Sequence, residues 1–163
     1  MDAVAASCAH VEKALGKSPA FRKIEDRLYI VKQGSSYVMI TVIPTPGHGA
    51  ERAVVRVVAQ VVAQVRPEPS LFRQLLILNG QLRFGAFAYS PDGELILFTH
   101  SILGGAAMDP RELLATVHDV ALVADEYDDR IVARYGGQRM QDMIEESAIV
   151  RLFGDTTDPF EGA

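Results

Sequence analysis

Residues 75–137, LLILNGQLRFGAFAYSPDGELILFTHSILGGAAMDPRELLATVHDVALVADEYDDRIVARYGG, decide the fold. They run as the end of a helix, a strand, a tight turn, a second strand and a long helix, with a local chemical cause at each boundary. Ser90-Pro91-Asp92-Gly93 is the turn: Pro presets φ near −65°, and Asp and Gly tolerate the left-handed or bridge conformations that follow. Before it, Phe84, Ala86 and Ala88 alternate with Gly85, Phe87 and Tyr89; after it, Leu95, Leu97 and Thr99 alternate with Ile96, Phe98 and His100. Both faces are largely apolar, so this hairpin belongs to a sheet covered on at least one side.

The long helix starts at Asp109-Pro110-Arg111-Glu112, with Asp as N-cap, Pro at the first helical position and Glu placed to reach back in a capping box. Leu113, Val117, Val120, Ala124, Tyr127 and Ile131 follow at spacings of four and three, a single apolar stripe. Tyr127 continues that stripe between charged neighbours, which places its ring beneath the sheet. Gly136-Gly137 supplies the stop.

Working outward, Ala3 to Leu15 is an Ala-rich helix stopped by Gly16, and Ser18-Pro19 reads as the cap and first residue of a second short segment. Leu28 to Lys32 and Tyr37 to Ile43 form a hairpin around Gln33-Gly34-Ser35-Ser36, ended by Pro44, Pro46 and Gly47. Ala53 to Val65 is dense in β-branched residues, which lose χ1 freedom in a helix and pack well on a pleated surface, so it is assigned to a long strand. Pro67 and Pro69 separate it from a helix over Ser70 to Leu82, with Leu71, Leu75, Leu78 and Leu82 on one face and Phe72 and Leu76 widening it. A further helix is expected from Gln138 to Ser147, running to Leu152. The order is α-β-β-β-α-β-β-α, an α+β class with an antiparallel five-stranded sheet and helices packed on one face. Residues 1–153 form one domain in this reading, and the acidic stretch 154–163, with Pro159 and Gly162, is a disordered tail.

Composition narrows the function classes. At 163 residues, 48% hydrophobic and 23% charged, the chain is long enough for one self-sufficient core. A net charge of −5 with scattered Arg and sparse Lys lacks the basic face of a nucleic-acid binder. The run Val54 to Val65 is interrupted by Arg56, Gln60 and Gln64 and is too short to span a bilayer, so no membrane is expected. One cysteine, Cys8, leaves no internal disulfide and suits a reducing, cytoplasmic setting.

No catalytic constellation emerges. His10, His48, His100 and His118 lack any HExxH or Cys-partnered spacing, so neither metal nor cofactor is expected. The loops Pro46-Gly47-His48-Gly49 and Gly104-Gly105 fit no phosphate-binding fingerprint, and Ser35, Ser36 and Ser101 lack a G-x-S-x-G elbow. Asp125, Glu126, Asp128 and Asp129 crowd like charges one turn apart, with Arg130 and Arg134 able to neutralise them or a basic partner segment able to use them.

The block LLILNGQLRFGAFAYSPDGELILFTHSIL and the run DVALVADEYDDRIVARYGG resemble the YbjN family and the type III secretion chaperone-like fold. The likeness rests on hydrophobic pattern together with Leu75-Leu76 and Asn79 in the central helix, Asp92-Gly93 at the turn, and Ala124 to Asp128 in the last helix; it extends from about Phe21 to Gly137. The resemblance implies a non-enzymatic homodimer that holds an extended segment of another protein. Candidate partner or dimer contacts are Arg56, Gln60 and Gln64, on a strand read as an open edge, and Leu71, Phe72 and Leu75, on the helix with two apolar flanks. The alternative is a ligand-binding or enzymatic site between sheet and helices, under Tyr89, Phe98 and Tyr127.

Overall fold

In the computed structural model, which describes residues 2–46 and 52–143, three helices pack on one face of an antiparallel sheet. In chain order the elements are α1 (Ala3–Leu15), β1 (Phe21–Glu25), β2 (Leu28–Gln33), β3 (Ser36–Thr45), β4 (Arg52–Ala63), α2 (Pro69–Gln81), β5 (Ala86–Ser90), β6 (Leu95–Leu103), α3 (Pro110–Tyr135) and β7 (Gln138–Arg139). The sheet runs β1-β2-β3-β4-β6-β5, and β7 pairs with the end of β4.

Among the described residues the sheet therefore has seven strands where the sequence pattern counts five. The extra outer strand, β1, replaces the short segment expected after Ser18-Pro19. Ser18 instead holds a turn, its hydroxyl accepting from the Ala20 N–H at 3.3 Å. Four of the five β1 residues are exposed, so FRKIE lacks the apolar alternation that marks a half-buried strand. The second extra strand, β7, takes the place of the first residues of the helix expected from Gln138; helical turn resumes at 140–143, and the remainder of that helix and the 154–163 tail lie outside the described residues. Gly136 and Gly137, at φ +76° and +91°, reverse the chain so that it can reach β4. A Cβ on Gly137 would sit 2.6 Å from the Val65 side chain and 2.7 Å from the Ala63 carbonyl, an approach open to glycine alone.

The core follows from strand parity. In β3, Ser36, Val38, Ile40 and Val42 are buried while the residues between them are not; in β4, Ala53, Val55, Val57, Ala59 and Val61 are. Both sets face the helices, where α3 lays down Leu113, Val117, Val120, Ala124 and Ile131. Asp109 caps α3, accepting from the Arg111 N–H at 2.8 Å. Of the space read as a ligand site under Tyr89, Phe98 and Tyr127, the part beside Tyr89 and Phe98 is occupied by aromatic rings, while Tyr127 also lines a cleft between two helices. Phe98 is fully buried, with its ring centroid 5.0 Å from Phe87 and 5.8 Å from Phe84, and Phe87 packs in turn on Tyr127 at 5.4 Å.

Polar contacts fix the helices to the sheet. Ser35 and Ser36, in the β2–β3 turn, both donate to the Asp125 carboxylate, at 2.7 and 2.5 Å. Ser7 of α1 accepts from the Gly105 N–H at 2.7 Å. Tyr29, buried in β2, donates to Glu12 Oε1 at 3.0 Å, and Lys23 donates to the same oxygen at 3.1 Å. Lys23 and Tyr29 hold the Glu12 carboxyl below its usual range, whereas burial first, and then the neighbouring Cys8 and Glu12, push the Tyr29 hydroxyl above the ordinary 10.0. Because the raised value belongs to the folded state, the protonated phenol contributes stability that is present below pH 10 and is lost as the pH climbs beyond it. In an alkaline titration followed at phenolate absorbance, Tyr29 is expected to ionise together with unfolding, and Tyr29→Phe to remove that coupled step.

Candidate functional site

Among the described residues the three helices lie on one side of the sheet, and none of them covers the opposite side. The apolar residues pointing there are Leu28 and Ile30 on β2, Met39 and Ile43 on β3, Val54 and Val58 on β4, and Leu97 and Leu103 on β6, and they share the face with Thr41, Arg56, Gln60, Thr99 and Ser101. Register lines them into rows, with Ile30 opposite Met39, Met39 opposite Val58 and Val58 opposite Thr99. Leu103, at the end of β6, is 76% exposed. A second apolar row, Ile43–Val54–Leu103, lies beyond the polar row Thr41–Arg56–Ser101, so the face presents apolar strips with a polar strip between them, a mixture that suits an interaction surface. Leu28, Met39, Thr41 and Ile43 line a shallow depression of about 520 Å³ beside the β1–β2 turn.

The two sheet edges differ. At β5, the Asn79 side chain of α2 donates to the Phe87 carbonyl at 3.1 Å and accepts from the Phe87 N–H at 2.7 Å, imitating a neighbouring strand and closing that edge. At β1 the Phe21 N–H bonds to the Ser18 carbonyl, off the ladder, so the alternation of an antiparallel pair turns the Lys23 N–H and C=O outward as well. Ile24 on this edge is 56% exposed. The Phe21 carbonyl accepts from the Arg22 guanidinium at 2.8 Å, so among the described residues it is at Lys23 that β1 is open to main-chain pairing, and the depression lies one strand away.

The strand read from sequence as an open edge is interior: β4 pairs with β3 on one side and β6 on the other. Val-rich sequence signals burial on a pleated sheet but says nothing about which strands flank it. Arg56 and Gln60 do share the uncovered face, where Arg56 donates to Thr99 Oγ1 at 3.3 Å. Gln64 lies past the end of β4, in a left-handed conformation, its N–H bonded to the Gly93 carbonyl. Leu71 and Leu75 are buried at 1% and 6% exposure, and Phe72 packs on Tyr89 with ring centroids 5.0 Å apart. The apolar residue standing free on that flank of α2 is Leu76, 70% exposed.

A second concavity, about 250 Å³, opens between α2 and α3 and is lined by Leu75, Leu78, Tyr127, Ile131, Arg130 and Arg134 among others. Sequence periodicity assigned Leu75, Leu78 and Ile131 to core stripes; that two stripes leave a gap between their helices is set by packing distance, which periodicity does not carry. Among the described residues no three His, Cys, Asp or Glu side chains converge as metal ligands would, and no helix is long and apolar enough to cross a membrane.

Comparison with known proteins agrees with this fold. Residues 4–143 match the family model TY-Chap1, described as T3SS (YopN, CesT) and YbjN peptide-binding chaperone 1. A chain in the crystal structure of the ExsC-ExsE complex shares the fold, with a TM-score of 0.61 at 18% identity, over 79% of this chain and 96% of that one. No curated protein matches by sequence.

Proposed function

Since the chain belongs to the TY-Chap1 family of T3SS and YbjN peptide-binding chaperones, we propose that it is a non-enzymatic, homodimeric module that captures an extended segment of a partner protein in a chaperone or regulatory role. The observation that supports this reading is the pairing of a sheet edge, β1, with a face carrying apolar rows, both left uncovered among the described residues. An extended segment laid along β1 gains main-chain hydrogen bonds, and alternate side chains drop toward Leu28, Met39 and Ile43. β1 has five residues, so pairing there sets direction and register while the apolar face supplies most of the contact.

This mode requires no cofactor, nucleic acid or membrane, and it suits the cytoplasm. Arg56 and Gln60 fit as polar contacts that orient a segment crossing the face. The test is to pan a random 15-residue peptide library on the full chain. Enriched peptides should alternate apolar residues and compete for one site; a library that enriches nothing over a blank surface would contradict the reading.

The second copy is assigned to the outer flank of α2, where Leu76 stands beside the Phe72–Tyr89 pair. Leu76→Glu is expected to turn a dimer into a monomer at tens of micromolar without lowering the melting temperature by more than a degree or two, read by light scattering and calorimetry. A wild-type monomer, or a dimer indifferent to Leu76→Glu, would remove this assignment.

A further inference from the structure

We propose that the cleft between α2 and α3 seats a bulky apolar side chain with a carboxylate beside it, carried on a protein segment. This rests on the reading of the chain as a protein-binding module and adds a second contact, on the helical side of the molecule, that its partner must satisfy.

The floor of the cleft is apolar, built from Leu71, Leu75, Leu78 and Ile131, and Ile77 at its margin is 50% exposed. Its volume of about 250 Å³ is below the range of ~300–1,000 Å³ typical of drug-sized ligands, which favours one large side chain over a whole small molecule. The charged groups around it are both donors. Arg130 and Arg134 stand one turn apart on α3, stacked over the rings of Tyr127 at 4.8 Å and Tyr135 at 5.5 Å. Arg130 reaches Glu126 only at 3.9 Å, and Arg134 makes no ion pair among the described residues.

Across the cleft, α2 contains no acidic residue; its contribution is Gln74. The Tyr135 hydroxyl, at the end of α3 on the arginine side, is buried with no hydrogen-bond partner among the described residues. A buried hydroxyl without a partner is costly, and two adjacent guanidiniums repel one another; an entering carboxylate lowers both costs if the side chains around Tyr135 shift to admit it. Arg is also the side chain best suited to a planar carboxylate. The cleft therefore selects an acidic residue next to a Leu- or Phe-like one, in place of a purely apolar or a basic segment.

The probe is an acetylated, amidated nonapeptide with Leu-Glu-Phe flanked by Gly and Ser, titrated into the full chain and followed by amide NMR. Shifts are expected in Gln74 to Leu78 and Arg130 to Tyr135. Replacing the peptide's Glu by Gln should weaken binding about tenfold or more, since a charge-assisted pair with guanidinium becomes a neutral hydrogen bond. The double variant Arg130→Gln, Arg134→Gln should show the same loss while keeping a dispersed, wild-type-like spectrum. Replacing Phe by Ala in the peptide should abolish saturable binding.

Equal binding of the Glu and Gln peptides, or unchanged binding to the double variant, overturns the proposal. Shifts confined to Leu28, Met39 and Ile43 overturn it while leaving capture on the sheet standing, as does failure of this probe where library peptides still bind. Decanoate binding more tightly than the peptide would reassign the cleft to a lipid carboxylate, and cleft resonances moving on dilution of the protein alone would reassign it to a second copy; either result overturns it.

Discussion

Phe98→Ala should lower the unfolding free energy by about 3–5 kcal/mol, the cost of deleting a fully buried aromatic and leaving a cavity that its neighbours close only in part. Phe98 is the centre of the aromatic cluster: it touches Phe84 and Phe87, and a Cβ on Gly85 would lie 2.7 Å from its ring. That contact shows how little room surrounds the ring for relaxation. For a chain of this size each kcal/mol moves the melting temperature by ~2–4 °C, so a fall on the order of 10 °C is expected in a thermal scan. Leu103→Ala, at an exposed strand end, should stay within about 0.5 kcal/mol of wild type. Similar losses for the two variants would mean that the sheet's core face has been assigned to the wrong side.

The largest functional effect is expected from Val58→Asp. Val58 lies mid-strand on the uncovered face between Met39 and Thr99, so a carboxylate there is tolerated by the free protein, where water reaches it, and penalised once a partner segment covers it. Burying an unpaired charge costs ~3 kcal/mol or more, which corresponds to about a hundredfold weaker capture of library-selected peptides. Leu114→Asp, on the exposed side of α3, is the matched control and should bind as wild type. If Val58→Asp retains full affinity, the segment does not cross this face. If both variants lose it, the effect is one of charge and not of place.

Much of this was legible in the chain. Local chemistry placed α1 at Ala3–Leu15, and the Asp109-Pro110 cap fixed the start of α3, because caps and turns are decided within a few residues. The Ser90 to Gly93 turn joined β5 to β6 as its residue types require. β1 was not legible: a charged edge strand takes its conformation from the neighbour it pairs with, and Arg22, Lys23 and Glu25 carry no periodicity of their own. The exchange of β4 from edge to interior has the same origin, since strand order depends on contacts distant in sequence, such as Arg56 opposite Ser101. Gln138 and Arg139 were drawn into a strand by the end of β4 against a polar, helix-like local pattern. The candidate residues divide accordingly. Arg56 and Gln60 share a face because parity is a local property, whereas Gln64 is removed from it by a left-handed turn that no spacing announces.

Amide hydrogen exchange of the full chain, measured with and without a saturating library-selected peptide, tests the central claim most directly. Capture at the open edge predicts new protection in residues 21–25, where Lys23 main-chain groups gain partners, and little change in residues 54–63, whose amides already pair within the sheet. Saturating peptide that leaves residues 21–25 unprotected would contradict it.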